Sequence, residues 1–481
     1  MKTHLKWFAA GIMMITATAV SGQNSQVLYH MNLPQNHLLN PSLRHTGAVY
    51  VGLPALTGIN FSMANNFLRF EDIFTDGRPL EENYMPFLNP DFDTEKFLSR
   101  LKERNYLETG TAVQLLGVGF AAGKGNYFFL DIIERVECNI VFPKDLLRLA
   151  FLGNENFVGQ SFDLSAFRTH INYFREAGIG FSRNITPNLR IGVKGKMYMG
   201  LATASVDNKL LKVQVNNDLT NSLSADMSVN ISGPVRVYTD AQNKIDDVEF
   251  DDNRFGSGEF FTNTGNIGFG IDLGAEYYLT DRISLSAALT DFGYIKWKSD
   301  LTSLSTKADI TLNGMTIADV QSGSATFEDV LKGVLDSIAG ETYLMDPGMF
   351  RTNIPVGITV GGKFELNDMI SFGALSHSRI IEKQIREAFT LSANLNLRNF
   401  FSASLAYTAG NQTYDNLGIG LAIRGGWAQF YLLVDRIPLS WKNVTVDGDK
   451  IPVPANWNTV NTSFGVNLLF GNRMKRDQPV L

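Results

Sequence analysis

The sequence predicts an all-β fold, a transmembrane antiparallel β-barrel of 14 strands (16 is the alternative) with an N-terminal plug and a few short loop helices. Three observations predict it: long strictly alternating segments, a hairpin with a three-residue turn that recurs, and an export leader without any later apolar helix.

The alternation is plainest in IGFGIDLGAEYYL-TDR-ISLSAALTDFGYIKW, residues 267 to 297. Ile267, Phe269, Ile271, Leu273, Tyr277 and Leu279 share one parity, and Gly268, Gly270, Asp272, Gly274 and Glu276 share the other. Successive strand side chains point to opposite faces, so one face is greasy and the other is small or charged. Across Thr280-Asp281-Arg282 the apolar parity resumes at Ile283, Leu285, Ala287 and Leu289, which sets Leu279 opposite Ile283 and Tyr277 opposite Leu285. Tyr277 and Tyr278 beside the turn and Tyr294 and Trp297 at the far end are expected to form two aromatic belts about a membrane thickness apart.

The same device recurs at Thr186-Pro187-Asn188, Asn367-Asp368-Met369 and Arg398-Asn399-Phe400, and a two-residue turn at Gly425-Gly426 is expected to pair Ile423 with Ala428. With a further turn near 123–126 these account for twelve strands, and segments around 46–56 and 459–470 complete fourteen; residues 204–266 add none or two. Short turns at one end and the longer connections 204–266, 298–353 and 438–458 at the other match the asymmetry of outer-membrane barrels.

The leader is MKTHLKWFAAGIMMITATAVSGQ, a basic start, an apolar run and small residues, which reads as a signal peptide over 1–23. Its removal takes the formal charge from −6 to −8 by loss of Lys2 and Lys6, a mildly acidic balance that argues against nucleic acid as partner. One cysteine, Cys138, excludes an intrachain disulfide framework. After Gln23 no apolar run is long enough for a membrane-spanning helix, so a membrane location requires a closed barrel, 46–471.

Residues 24–45 do not alternate and are expected to form the plug, accommodated by small lumenal residues such as Gly268, Gly270, Ser392, Ser402 and Ser404. Residues 327–339 have helical apolar spacing and are expected to form an amphipathic loop helix; shorter helices are expected from Thr94 to about Asn105 and after Pro143. Residues 472–481 read as a periplasmic C-terminal tail.

Charges on the small-residue parity, Lys194, Lys196, Asp272, Glu276, Lys363 and Glu365, are candidate lumen-lining residues, because Lys or Arg facing lipid at the midplane costs about 2–4 kcal/mol. They either line a solute path or pair with one another and the plug. The six histidines form no metal-ligand spacing, no G-x-S-x-G elbow occurs, and no glycine motif opens a helix. The sequence therefore predicts no enzyme, no cofactor and no metal.

YHMNLPQNHLLNPSLRHTGAVYVGLP (29–54), LKERNYLETGTAVQLLGVGF (101–120), PKDLLRLAFLGN (143–154) and YDNLGIGLAIRGGWAQFYLLVD (414–435) together resemble a Bacteroidota outer-membrane family known only as a domain of unknown function. Asn40-Pro41-Ser42 is similar to the Asn-Pro-Ala motif near the hatch of long-chain fatty-acid transporters and of barrels associated with type IX secretion and gliding, with Ser42 in place of Ala. Ser463, Gly465, Leu468 and Phe470 resemble the terminal-strand signal read by barrel-assembly machinery. The resemblance implies a fourteen-stranded barrel with an N-terminal plug, and an outer-membrane location with lipid and the assembly machinery as partners. Two functions are then open: a plugged channel or transporter for a hydrophobic or small solute, or a scaffold for secretion, gliding or surface-protein assembly that binds an envelope protein.

Overall fold

The structure is a computed structural model that describes residues 25–69, 92–255, 257–312, 341–381, 384–397, 400–410, 413–446, 449–455 and 458–472. The expected signal peptide, the 327–339 helix and the tail beyond Asn472 lie outside the described residues.

Twenty strand segments join in one antiparallel sheet that closes on itself. Two pairs of segments are single strands interrupted along their length, and four lie beyond the ring, which leaves fourteen wall positions. In chain order they are β1 (Gly47–Gly52 continued by Ile59–Asn65), β2 (Arg104–Ala121), β3 (Asn126–Pro143), β4 (Arg168–Asn184), β5 (Leu189–Val215), β6 (Ile267–Tyr278) and β7 (Ile283–Trp297). There follow β8 (Phe350–Asn353 continued by Val356–Glu365), β9 (Ile370–Ile381), β10 (Gln384–Leu397), β11 (Phe401–Gly410), β12 (Thr413–Gly425), β13 (Ala428–Ile437) and β14 (Thr459–Asn472). Both pieces of β1 pair with β14 on one side and β2 on the other, which shuts the ring.

The ring has fourteen strands rather than sixteen because Asn221–Ser232, within 204–266, pairs with the far half of β5 and with Leu301–Leu312 outside the wall. That extension has its own core around Phe157, Phe162, Val213 and Leu223. The helix after Pro143 is present as Lys144–Leu152, whereas the Thr94 helix ends at Arg100, since β2 begins at Arg104. Connections at the long-loop end are not uniformly long: Ile381 pairs with Gln384, three positions on in the sequence.

The predicted registers across Thr280-Asp281-Arg282 hold, with Tyr277 opposite Leu285 and Leu273 opposite Leu289. At the glycine turn the pairing is Gly425 with Ala428 and Ile423 with Phe430, so the turn residues are Gly426 and Trp427. Only Gly426 has positive φ (+62°), as a type II′ turn with glycine first requires. The greasy parity faces outward, with Ile179, Phe269, Leu391 and Phe430 more than half exposed, and the other parity is buried inside the ring.

Candidate functional site

Inside the ring, two short 3-10 turns, Val27–His30 and Pro34–Leu38, organise residues 25–45. Pro34 stands in the first turn, where its fixed φ and missing N–H cost nothing. Val27, Leu28, Met31, Leu33 and Leu39 pack on Ala406, Ala422, Tyr431 and Leu433, inward-facing residues of β11 to β13. Burying each of the larger side chains contributes about 1.5–3 kcal/mol.

Glycines make the remaining room. A Cβ on Gly192 would collide with the Pro41 backbone, on Gly274 with Asn40, on Gly361 with Tyr29 and on Gly373 with His30. These are not the expected Gly268 and Gly270, which instead admit the β7 backbone and the Tyr198 ring. The Asn40 side-chain oxygen accepts from the backbone N–H of Ser42 (2.9 Å) and its hydroxyl (2.6 Å), while its amide donates to the carbonyls of Ala275 and Ala287. Asn40-Pro41-Ser42 is thus a closed turn seated in glycine notches of β5 and β6 and bonded to β6 and β7.

Above the segment lies a layer of buried charge. Lys194 is fully buried between Glu176 (2.9 Å) and Asp131 (3.2 Å), and Lys196 meets Asp291 (2.6 Å), Asp272 (2.8 Å) and Glu176 (3.4 Å). Arg135 joins Glu137, Glu176 and Asp291 at 2.8–3.0 Å. Arg379 bridges Glu137 and Glu108, and Arg386 also pairs with Glu108. His37 of the inner segment reaches Asp131 at 2.8 Å. An unbroken chain of ion pairs therefore runs from Arg386 to Asp131, which His37 of the inner segment contacts. Removing one partner of such a buried pair costs about 3–5 kcal/mol, because it strands the other charge.

A bulge in the wall completes this layer. Asp272 of β6 faces two residues of β7, Thr290 and Asp291, and Asp291 adopts φ +58°. One extra residue reverses the facing of everything beyond it. Asp291 therefore points inward, and so does Trp297, which is fully buried with its indole N–H on Thr352 rather than standing in an aromatic belt. Tyr278 also turns inward, beside Arg190.

Of the six lumen candidates, Lys194, Lys196 and Asp272 meet in the charged layer. Glu276 pairs separately with Arg190 at 2.8 Å, and Lys363 and Glu365 pair with each other at 3.4 Å, about 40% exposed. Ser463 and Gly465 face inward while Leu468 and Phe470 are on the outward parity of β14. Sequence reasoning missed Asp131, Arg135 and Glu137, although they share one parity along β3.

Beyond the charged layer, toward the long loops, is a cavity of about 1190 Å³ lined by Glu108, Glu137, Arg168, His170, Asn172 and Arg379. It also reaches Phe269 and Phe292 of the outer face, next to the bulge and the interruption of β8 at Ile354-Pro355. Between the inner segment and the charged layer is a second cavity of about 60 Å³. Among the described residues no group of three or more His, Cys, Asp or Glu could hold a metal ion.

Fold and interior together define a closed fourteen-stranded antiparallel barrel enclosing its own N-terminal segment. The chain belongs to the family of unknown function DUF5723, whose model matches residues 41–435. No curated protein matches it. Solved structures to which it is similar include a Pseudomonas aeruginosa FadL homologue, at 10% identity, TM-score 0.41, covering 95% of this chain and 98% of that one. The Ralstonia pickettii toluene transporter TbuX is similar at 11% identity, TM-score 0.41, covering 95% and 97%. The P. putida toluene transporter TodX follows at 10% identity, TM-score 0.39, covering 94% and 96%.

Proposed function

We propose that this protein is a plugged channel of a Gram-negative outer membrane, of the Bacteroidota envelope type its sequence resembles, which passes a small or hydrophobic solute without covalent chemistry. The outward apolar face meets lipid, the leader directs export, and the β14 pattern serves the barrel-assembly machinery. The tight turns then face the periplasm and the cavity opens toward the outside. One observation carries the reading: a cavity of about 1190 Å³ lies across the charged layer from a non-covalently seated segment, so displacing that segment would leave only the side chains of that layer between the cavity and the opposite end of the ring. Phe269 and Phe292 at the cavity edge supply apolar surface for a hydrophobic solute, and the Glu108–Arg379–Glu137 floor supplies polar contacts for a small one.

Conductance in planar bilayers tests this, comparing the whole mature protein with one lacking residues 24–45. The deletion is expected to conduct and the whole protein to be mostly closed. A deletion variant that forms a barrel and still does not conduct rejects the channel.

A second reading, a scaffold for secretion or surface-protein assembly, is favoured by the close packing of the segment, whose Val27, Leu28, Met31, Leu33 and Leu39 are all buried against the wall. Crosslinking in intact cells tests it, and absence of any envelope protein partner counts against it.

A further inference from the structure

The inner segment carries three histidines whose surroundings differ. His45 accepts the Gly47 backbone N–H at Nδ1 (3.0 Å), so that nitrogen is bare and the ring is neutral, with Nε2 donating to the Tyr127 hydroxyl (2.7 Å). His30 is buried against Gly373, and burial, helped by Lys363, pushes its pKa down to about 3, so it too is neutral. His37 is bracketed differently. Its Nδ1 lies 2.6 Å from the Pro34 carbonyl oxygen, which can only accept, and its Nε2 lies 2.8 Å from Oδ2 of Asp131. Asp131 is itself an ionised acceptor, since Gln114 donates to its other oxygen (2.6 Å) and the Lys194 ammonium stands 3.2 Å away. Both ring nitrogens of His37 must therefore carry hydrogen.

We propose that a proton on His37 latches the inner segment to the wall, so that the hold on the segment is lost as pH rises. The inference rests on the plugged-channel reading and names the regulation of that same site. His37 and Asp131 are 3% and 0% exposed, so a bare Nε2 would face a carboxylate in a place water does not reach. The charged and titratable groups on this contact are Asp131 of β3, Lys194 of β5, Glu176 of β4 behind that lysine, and Tyr50 of β1 on the Asp131 side. The Phe129 ring covers the imidazole at 4.4 Å. Deprotonation leaves Asp131 still paired with Lys194. The wall then keeps its own counter-ion while the segment loses the charge that held it there, which is what distinguishes a latch from a structural ion pair.

The test is conductance of the full mature protein in planar bilayers from about pH 6 to about pH 9. Wild type is expected to open about tenfold more at the alkaline end, His37→Gln to show no such rise, and the 24–45 deletion to conduct at every pH. Identical pH profiles for wild type and His37→Gln, with the deletion conducting, overturn the latch and leave the channel standing. A deletion that does not conduct rejects the channel instead. Nitrogen-15 spectra of wild type at neutral pH decide the latch independently of conductance and of whether the variant folds: two protonated ring nitrogens on His37 support it, and a neutral tautomer overturns it.

Discussion

The backbone N–H of Asp291 donates to the Asp272 carboxylate at 2.7 Å, and the two carboxylates together hold the ammonium of Lys196. A bulge thus positions one acid through the backbone of another. Asp291→Ala takes one of three carboxylates from each of Arg135 and Lys196 and places alanine at positive φ; it is expected to cost about 3–5 kcal/mol. Unfolding in denaturant, followed by loss of the compact heat-modifiable band on gels, measures it.

Burial separates the lysines. Lys194→Met removes a buried counter-charge shared by Asp131 and Glu176 and is expected to cost about 3–5 kcal/mol in the same assay. Lys363→Met breaks a half-exposed pair and is expected to cost roughly 0–1 kcal/mol.

Gly192→Leu fills the notch that receives Pro41. The barrel is expected to form, because the extra side chain projects into the lumen, and the seated segment to be expelled. Protease cleavage within 25–45, together with higher conductance, checks both halves of this expectation.

His30 sets an acid limit on docking. Its folded pKa, about 3, lies below its ordinary value of 6.5, so the neutral form is the docked one. The undocked ring takes up a proton first as pH falls; the contribution of His30 to docking is therefore whole above about pH 6.5 and is lost progressively from there toward pH 3. Hydrogen exchange of residues 25–45 at neutral and acid pH, in wild type and His30→Gln, tests it: the acid loosening is expected to be smaller in the variant.

Much of the wall was legible because alternation and turn spacing are local. The β6–β7 hairpin could be registered residue by residue, and Lys194, Lys196 and Asp272 could be assigned inward, since each lies on a strand anchored by a recognised turn. Trp297 and Asp291 could not, because a single inserted residue at 290–291 reverses facing and leaves no trace in composition. Asp131, Arg135 and Glu137 sit on one parity of β3, a signal that was present; their partners on β4 and β5 depend on the register of those neighbouring strands, and Arg379 on β9 is brought across only by ring closure. The Gly426-Trp427 turn was displaced by one residue because two adjacent glycines offer two equivalent placements to the eye, whereas the type II′ turn uses only the second.

Gln35 donates to Asn467 of β14 at 2.7 Å and to the Thr57 carbonyl, which lies in the interruption of β1, at 3.3 Å. These two strands form the last seam of the ring, and Gln35 and Asn467 are 432 residues apart in sequence. Bringing such distant ends together is entropically costly, and a bridge bonded to both sides reduces that cost. The enclosed segment is therefore also a clasp on the ring: one of its side chains holds the two ends of the wall to each other.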